Sequence, residues 1–277
     1  MTDAALAAYL ARLGLDRPPP RDAAGLAQLQ AAQRQAIAFE NLDVRLGRPI
    51  RIDGASVLAK LVHSRRGGYC FEQNRLYADM LGLLGFASRP LLARPRLAIP
   101  AGTVPPRTHV LLLVDLGGSP WICDAGFGGS YVPPLPLVDG AGAQTPDGAR
   151  HRLRRVGAPG SLAGEWQLER AGATAATDGR FAAHDGWQAQ YTFDLAEVAA
   201  DDLEQANWWT STWPASRFVQ ADVISRVLPD GFAAMNGGAL AITRAGRTER
   251  RTITDAADYR AALDAVFGID LPEAALR

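Results

Sequence analysis

The apolar period of this chain changes once, near residue 90, and that change limits the folds open to it. Before it, Leu26, Leu29, Ile37 and Leu42 continue one helical face after the Pro18-Pro19-Pro20 break. Leu76, Met80, Leu83 and Leu84 form a second face that stops at Gly85. From Leu91 onward the pattern is short β-rich runs between Gly and Pro turns. These include Asp139-Gly140-Ala141-Gly142, and Thr177-Asp178-Gly179 between strands near Trp166 and Phe181. Leu195 to Asn207 reads as a linking helix, and Ala239 to Thr243 and Thr252 to Thr254 read as strands. A last helix, capped by Asp255, ends at Gly268. Helices followed by strands give an α+β chain. Three units result: a helical bundle over 1–92, an antiparallel β-barrel or sheet over 93–194, and a linking helix with an α/β lid over 195–277. A cleft is expected where the first two units meet.

Composition narrows the function. With 277 residues the chain can bury a substantial core. Its formal charge is zero, which speaks against a nucleic-acid groove or an anionic membrane partner. Two cysteines, Cys70 and Cys123, are too few for a disulfide scaffold or a zinc site. Residues 1–15 carry Leu6, Tyr9, Leu10 and Leu13 with Asp3 and Arg12 among them, the pattern of neither a signal peptide nor a membrane span. A cytoplasmic protein with reduced thiols is the expectation. Lys60 is the single lysine among many arginines and points to no chemistry by itself. The oligomeric state stays open.

The stretch Arg66-Gly67-Gly68-Tyr69-Cys70-Phe71-Glu72-Gln73-Asn74 sets a cysteine on a glycine turn at the mouth of a helix. The unpaired N–H groups and dipole of a helix start favour thiolate over thiol. Gly67 and Gly68 remove side chains that would block approach to the sulfur. A buried structural cysteine would explain neither the paired glycines nor the helix start.

A nucleophilic thiol needs a base, and the chain offers His63, His109, His151 and His184. His63 sits beside Arg65 near a helix end and reads as surface. His109 opens the run His109-Val110-Leu111-Leu112-Leu113-Val114-Asp115, a second short run Trp121-Ile122-Cys123-Asp124 follows, and Leu116-Gly117-Gly118-Ser119-Pro120 turns between them. A hairpin centred on Leu116 and Gly117 sets His109 directly opposite Asp124, on the same face. Such a carboxylate fixes the imidazole tautomer and leaves the other nitrogen for a thiol. Cys70, His109 and Asp124 then form a candidate Cys-His-Asp triad. Cys123 alternates to the other face and reads as core.

The nonapeptide around Cys70, the Thr108-His109 strand, and Asp124-Ala125-Gly126-Phe127-Gly128-Gly129 resemble the three catalytic signatures of the arylamine N-acetyltransferase family. Tyr9-Leu10-Ala11-Arg12-Leu13-Gly14, Phe39-Glu40-Asn41-Leu42, Tyr191-Thr192-Phe193 and the segment Ser211 to Phe218 agree in order and spacing, so the likeness covers nearly the whole chain. Ala38 stands where the family usually has proline and Gln33 where histidine is frequent, departures that touch only loop geometry.

The resemblance implies a cysteine-proteinase-like core and a two-step transfer of acetyl from acetyl-CoA to an arylamine or hydrazine. Acetyl-CoA serves as a co-substrate, with no permanently bound cofactor and no metal. An amide synthase or a transglutaminase-like or protease-like thiol enzyme of the same core is the alternative, and a non-catalytic binding module the third reading. The backbone N–H of Cys70 is the natural oxyanion donor. The resemblance also implies CoA contacts at Gly126, Gly128, Gly129, Ser216 and Phe218, the bare glycine backbone admitting the pantetheine arm. Phe39, Tyr69, Phe71 and Phe127 lie in or beside these segments, and an aromatic slot and plain core packing account for them equally. Arg66 is expected to pair with Glu40 and Asn41 beneath the nucleophile. Arg244, Arg247, Arg250 and Arg251, around a hairpin, are expected to face solvent.

Overall fold

The computed structural model describes residues 2–100, 102–181 and 186–271. His184 lies outside the described residues. The first part is helical: α1 (Asp3–Leu13), α2 (Ala23–Ala36), α3 (Leu42–Arg45), α4 (Gly54–Leu58) with a π turn over Ala59–His63, and α5 (Cys70–Leu83). Thr2 and Asp22 cap α1 and α2 with their side-chain oxygens, and Gly14 ends α1 in the left-handed conformation.

Strands β1 (Ala87–Pro95), β2 (His109–Leu116), β3 (Ser119–Cys123), β4 (Leu135–Pro136), β5 (Gly142–Gln144), β6 (Arg150–Arg155), β7 (Trp166–Ala171) and β8 (Gln188–Phe193) follow. They form an antiparallel sheet in the order β4-β3-β2-β1-β8-β7-β6-β5. Next come α6 (Ala200–Thr212), α7 (Arg217–Gln220), and the meander β9 (Val223–Leu228), β10 (Gly231–Asn236), β11 (Ala239–Arg244) and β12 (Arg247–Thr252). The meander is backed by α8 (Ala256–Ala262). This is an α+β architecture. Among the described residues no helix is long and apolar enough to cross a membrane.

The large sheet is covered on both faces, which is why β2 is almost continuously apolar. Leu112 and Val114 join α1, α2 and α5 in one core, while Leu111 and Leu113 join Leu91, Leu168, Tyr191 and Phe193 in another. A third core lies between β9–β11 and α8 and takes in Ala38 and Leu42 from the helical part.

Several boundaries differ from the sequence expectation. The linking helix runs Ala200–Thr212 rather than from Leu195, because the Asp202 carboxylate caps the Ala199 N–H. It stops before Pro214, whose ring disfavours a helical conformation at Trp213. Phe181 is buried but not in a strand. After β7 the chain makes a 3-10 turn at Thr174–Ala176, and strand structure resumes at Gln188. The last strand is Arg247–Thr252, turned by Ala245 and Gly246 at positive φ, so Thr252 is its end and not its start. Arg244, Arg247, Arg250 and Arg251 are exposed there, and their charge protects an edge strand from pairing with another chain.

Arg66 pairs with Glu40 at 2.8 Å and with Asp43 at 3.1 Å, not with Asn41. Asn41, buried, instead donates to the carbonyls of Phe218 and Ala221 and accepts from the Val223 N–H at 2.7 Å. One side chain of the helical part therefore holds α7 and the start of β9. Asn41→Ala removes three buried hydrogen bonds at about 1 kcal/mol each. It should lower the unfolding free energy in urea by about 3 kcal/mol, and a loss below about 0.5 kcal/mol would assign that anchoring elsewhere.

Candidate active site

The turn before Cys70 is shaped by the close approach of the chain to itself. Phe39 bridges Gly68 on one side and Ser225 on the other. A Cβ on Gly67 would lie 2.2 Å from the Ala38 carbonyl oxygen, and one on Gly68 would lie 2.8 Å from the Glu72 carboxylate. The two glycines thus admit segment 38–40 and Glu72, not a substrate. Glu72 returns the contact, its carboxylate accepting from the Tyr69 N–H at 3.1 Å, and α5 begins with Cys70 at its first position. Glu72 is buried with Lys60 at 2.7 Å. Burial, outweighing that cation, pushes its carboxyl up to about 7.

The β2–β3 hairpin turns at Gly117 and Gly118, not at Leu116 and Gly117. Both glycines have positive φ, which a two-residue turn of this twist requires at both central positions. Leu112 therefore pairs with Cys123, and Asp124, one residue past β3, falls beside Leu111. The shift is two residues, so the face is preserved and His109 reaches Asp124 diagonally. His109 Nε2 lies 2.7 Å from Asp124 Oδ2, both side chains buried. The Cys70 side chain acts on the same ring, favouring its protonated form, and its Sγ lies 3.7 Å from the Thr108 carbonyl oxygen.

The carboxylate is fully engaged. Its Oδ1 accepts from Asn74 Nδ2 at 3.1 Å and from the Gly126 N–H at 3.0 Å, while the Asp124 N–H donates to Gln30 Oε1 at 2.8 Å. Burial alone would raise the Asp124 carboxyl, but His109, Asn74 and the Gly126 amide hold it below its ordinary value. Burial alone would lower His109. Asp124 and Cys70 outweigh it and raise the imidazole to about 10. These surroundings favour the imidazolium form of His109.

A cavity of about 590 Å³ opens onto Cys70 and His109. Phe39, Phe127, Gly126, Gly128, Ser216 and Phe218 line it, as do Trp209, Trp213, Arg180 and Arg217. Tyr69 and Phe71 do not. Phe71, the next residue on the helix, points about 100° away from Cys70, and Tyr69, the extended N-cap of α5, spends its hydroxyl on Asn207. Gly129 also falls outside the cavity wall: its carbonyl accepts from Asp178, and a Cβ there would meet Leu97 and Phe127 at 2.8 Å. A Cβ on Gly126 would meet Asn74 at 2.6 Å and one on Gly128 the Phe39 ring at 2.7 Å, so the loop after Asp124 is bare because it packs on α5 and Phe39.

Cys123 is buried in the helical-side core, and burial raises its thiol well above the ordinary value. His63 is exposed. His151 is buried with neither ring nitrogen hydrogen-bonded, and burial with nearby Arg170 lowers it to about 3, a neutral core histidine. Among the described residues no cluster of His, Cys, Asp and Glu is placed to hold a metal ion.

The family model described as N-acetyltransferase matches residues 22–276. The arylamine N-acetyltransferase of Escherichia coli K12 is 37% identical over 96% of this chain and 89% of its own length. The chain belongs to the arylamine N-acetyltransferase family. The solved structure of the family member from Salmonella typhimurium superposes with a TM-score of 0.87 at 35% identity, covering 100% of this chain and 97% of that one. The Mycobacterium marinum arylamine N-acetyltransferase in complex with CoA gives a TM-score of 0.85 at 32% identity, over 98% and 96%.

Against this arylamine N-acetyltransferase background, several residues went unassigned in the sequence. Asn74, one helical turn after Cys70, ties the nucleophile helix to Asp124 and to the Ala125 N–H, and the i, i+4 spacing was the available signal. Gln30, Gln33 and Arg34 form a buried polar stripe on α2 that holds the Asp124 amide, the Gln73 carbonyl and the Phe127 carbonyl. Polar residues at i, i+3 and i+4 on a helix are usually read as its solvent face.

The raised His109 has a stability consequence. Between pH 6.5 and about 10 the folded protein holds a proton on His109 that the unfolded chain releases. Its contribution is complete below 6.5 and fades as pH rises through about 10. Urea unfolding across this window should show stability falling with pH in the wild type and a flatter profile in Asp124→Asn. Equal slopes would show that Asp124 does not hold the proton on His109.

Proposed function

We propose that this chain transfers an acetyl group from acetyl-CoA to the nitrogen of an arylamine or hydrazine by way of an acetyl-cysteine at Cys70. One observation carries the reading: a His109–Asp124 pair, buried and 2.7 Å apart, opens onto the same cavity as Cys70 at the first position of a helix. The names of the relatives support the donor and the acceptor class.

In the first half-reaction the Cys70 thiolate, paired with the His109 imidazolium, attacks the thioester carbonyl. The oxyanion faces the Cys70 N–H at the positive end of α5. The tetrahedral species expels the CoA sulfur, which takes the imidazolium proton. In the second half the amine attacks the acetyl-cysteine carbonyl, His109 accepts the amine proton, and Cys70 leaves as thiolate. Asp124 orients the ring and stabilises its charge throughout. Phe39, Phe127 and Phe218 supply an apolar wall for the acceptor ring.

The same placement supports reading the core as cysteine-proteinase-like, with the nucleophile at a helix start packed on an antiparallel sheet that carries base and acid. The change from helices to strands after α5, and from strands to a helix after β8, supports a division near residues 92 and 194. Two free cysteines, both buried, accord with a cytoplasmic protein.

Incubation with acetyl-CoA alone should add one acetyl group by intact mass, and Cys70→Ser should add none. No adduct on a protein whose thiol is free would favour a donor with another acyl group. Asp124→Asn should lower turnover on the order of 10⁴-fold. Turnover within about tenfold of wild type would sink the triad assignment.

A further inference from the structure

Beneath the Cys70 turn lies a cluster whose charges do not balance. Three carboxylates, Glu40, Asp43 and Glu72, face two cations, Lys60 and Arg66. The Glu40 and Glu72 side chains are buried, and that of Asp43 is 13% exposed. Arg48 adds a third cation only at the rim, 3.7 Å from Asp43 and 52% exposed, where water and salt screen it. Buried carboxylates that outnumber their cations hold a proton more readily than a bare surplus charge.

Of the three, Glu72 is the least compensated. Glu40 accepts from Arg66 Nε at 3.0 Å and Nη2 at 2.8 Å, and from the Leu42 N–H at 2.7 Å. Asp43 meets Lys60 at 2.6 Å and Arg66 at 3.1 Å. Among the described residues Glu72 has one cation, Lys60 at 2.7 Å, which it shares with Asp43, and one further donor, the Tyr69 N–H at 3.1 Å. The helix α4 also packs on α5, but its capping Asp53 is 46% exposed and pairs with Arg51 in solvent. Burial and the neighbouring Glu40 accordingly push the Glu72 carboxyl up to about 7, against Lys60 and the Tyr69 amide.

Glu72 stands at the third position of the helix that Cys70 begins. The Tyr69 phenol is raised by burial and then by Cys70 and Glu72 together, which places both in one electrostatic neighbourhood. The free N–H groups and dipole of a helix start favour negative charge on the Cys70 sulfur and on an oxyanion at its N–H. An ionised carboxylate in the same turn cancels part of that potential, and a neutral acid leaves it whole. Either form keeps an oxygen for the Tyr69 N–H, so the turn holds its shape through the change.

We propose that Glu72 is a positioning residue for the acylation of Cys70: as the neutral acid it leaves the positive end of α5 to the sulfur and the oxyanion, and as the carboxylate, its proton lost to water, it opposes them. It acts through the helix start and not on the reacting atoms. The inference rests on the acetyl-CoA reading for the donor, and it gives the first half-reaction an ionisation outside Cys70, His109 and Asp124.

The test follows acylation by acetyl-CoA with no amine present, so that no acceptor titrates. As pH rises through about 7 the wild-type rate should fall, by roughly threefold to tenfold. Glu72→Gln keeps an acceptor for the Tyr69 N–H without the charge, and should hold the low-pH rate across the same range. The same inflection in both proteins overturns the proposal, and so does a rate lowered alike at every pH, as a merely structural role would give. Carboxyl 13C NMR of glutamate-labelled wild type needs no variant: one side chain should titrate near 7. Titration of every glutamate below about 5.5 overturns the assignment.

Alkylation of Cys70 by iodoacetamide over the same pH range reads the sulfur without the donor. An inflection lost in Glu72→Gln, in a protein that acetyl-CoA fails to acylate, would support Glu72 and overturn the transfer reading. Normal acylation with no inflection that depends on Glu72 would do the reverse.

Discussion

A carboxylate buried to 1% of its surface must have nearly every lone pair answered, and in this fold that carboxylate is Asp124. His109 from β2, Asn74 from α5 and the Gly126 amide from its own loop answer it, while Gln30 from α2 accepts from the Asp124 backbone N–H. The helical part and the sheet thus meet around this charge. Removing one partner of such a pair leaves the other charged and buried, at a cost of roughly 3–5 kcal/mol. The carboxylate that holds the His109 ring is thus also a keystone of packing. Its geometry is held by core-like contacts rather than by a surface loop.

A second buried charge cluster supports the Cys70 turn from the opposite side. Arg66 and Lys60 share Glu40, Asp43 and Glu72 between them, with Lys60 Nζ 2.6 Å from Asp43 and 2.7 Å from Glu72. The chain's single lysine is placed here, half-hidden between carboxylates from α3 and α5. A compact ammonium on a flexible stem can meet two carboxylates that face from different directions, where a planar guanidinium is bound to one fork geometry. Arg66 takes the other position, lying between Glu40 and Asp43. Together they fix the start of α5, and with it the direction of the Cys70 side chain.

The sequence made these layers legible in unequal measure. Cys70 at a helix start, the Asp255 cap and the Gly268 stop depend on a few adjacent residues, and local pattern reads them directly. The shared face of His109 and Asp124 depends only on parity. It survived a register change because the Gly117-Gly118 turn moved the partner by two residues. The pairing of Arg66 with Asp43, the stripe of Gln30, Gln33 and Arg34, and the pairing of Arg217 with Asp178 are of another kind. Each joins residues tens of positions apart, and each uses polar side chains that at their own position look like solvent-facing ones. Burial of polar groups against one another is a tertiary fact with no local period.

The glycines make the same distinction within one residue type. Gly117, Gly118, Gly246 and Gly268 have positive φ, so their reason is conformational and shows in turn motifs. Gly67, Gly68, Gly126 and Gly128 have ordinary φ, and each is bare because another part of the chain lies within 3 Å of where a Cβ would be. The second group reads in sequence as loop open to a ligand. In the second group the space is already taken by Ala38, Glu72, Asn74 and Phe39. What those glycines provide is closeness: α5, segment 38–40 and the loop after Asp124 lie backbone to backbone, so sulfur, imidazole and carboxylate cannot drift apart without moving whole elements. The open volume that a substrate needs lies on the other side of this contact, between Phe127, Phe218 and the Trp209–Trp213 stack, where side chains rather than bare backbone form the wall.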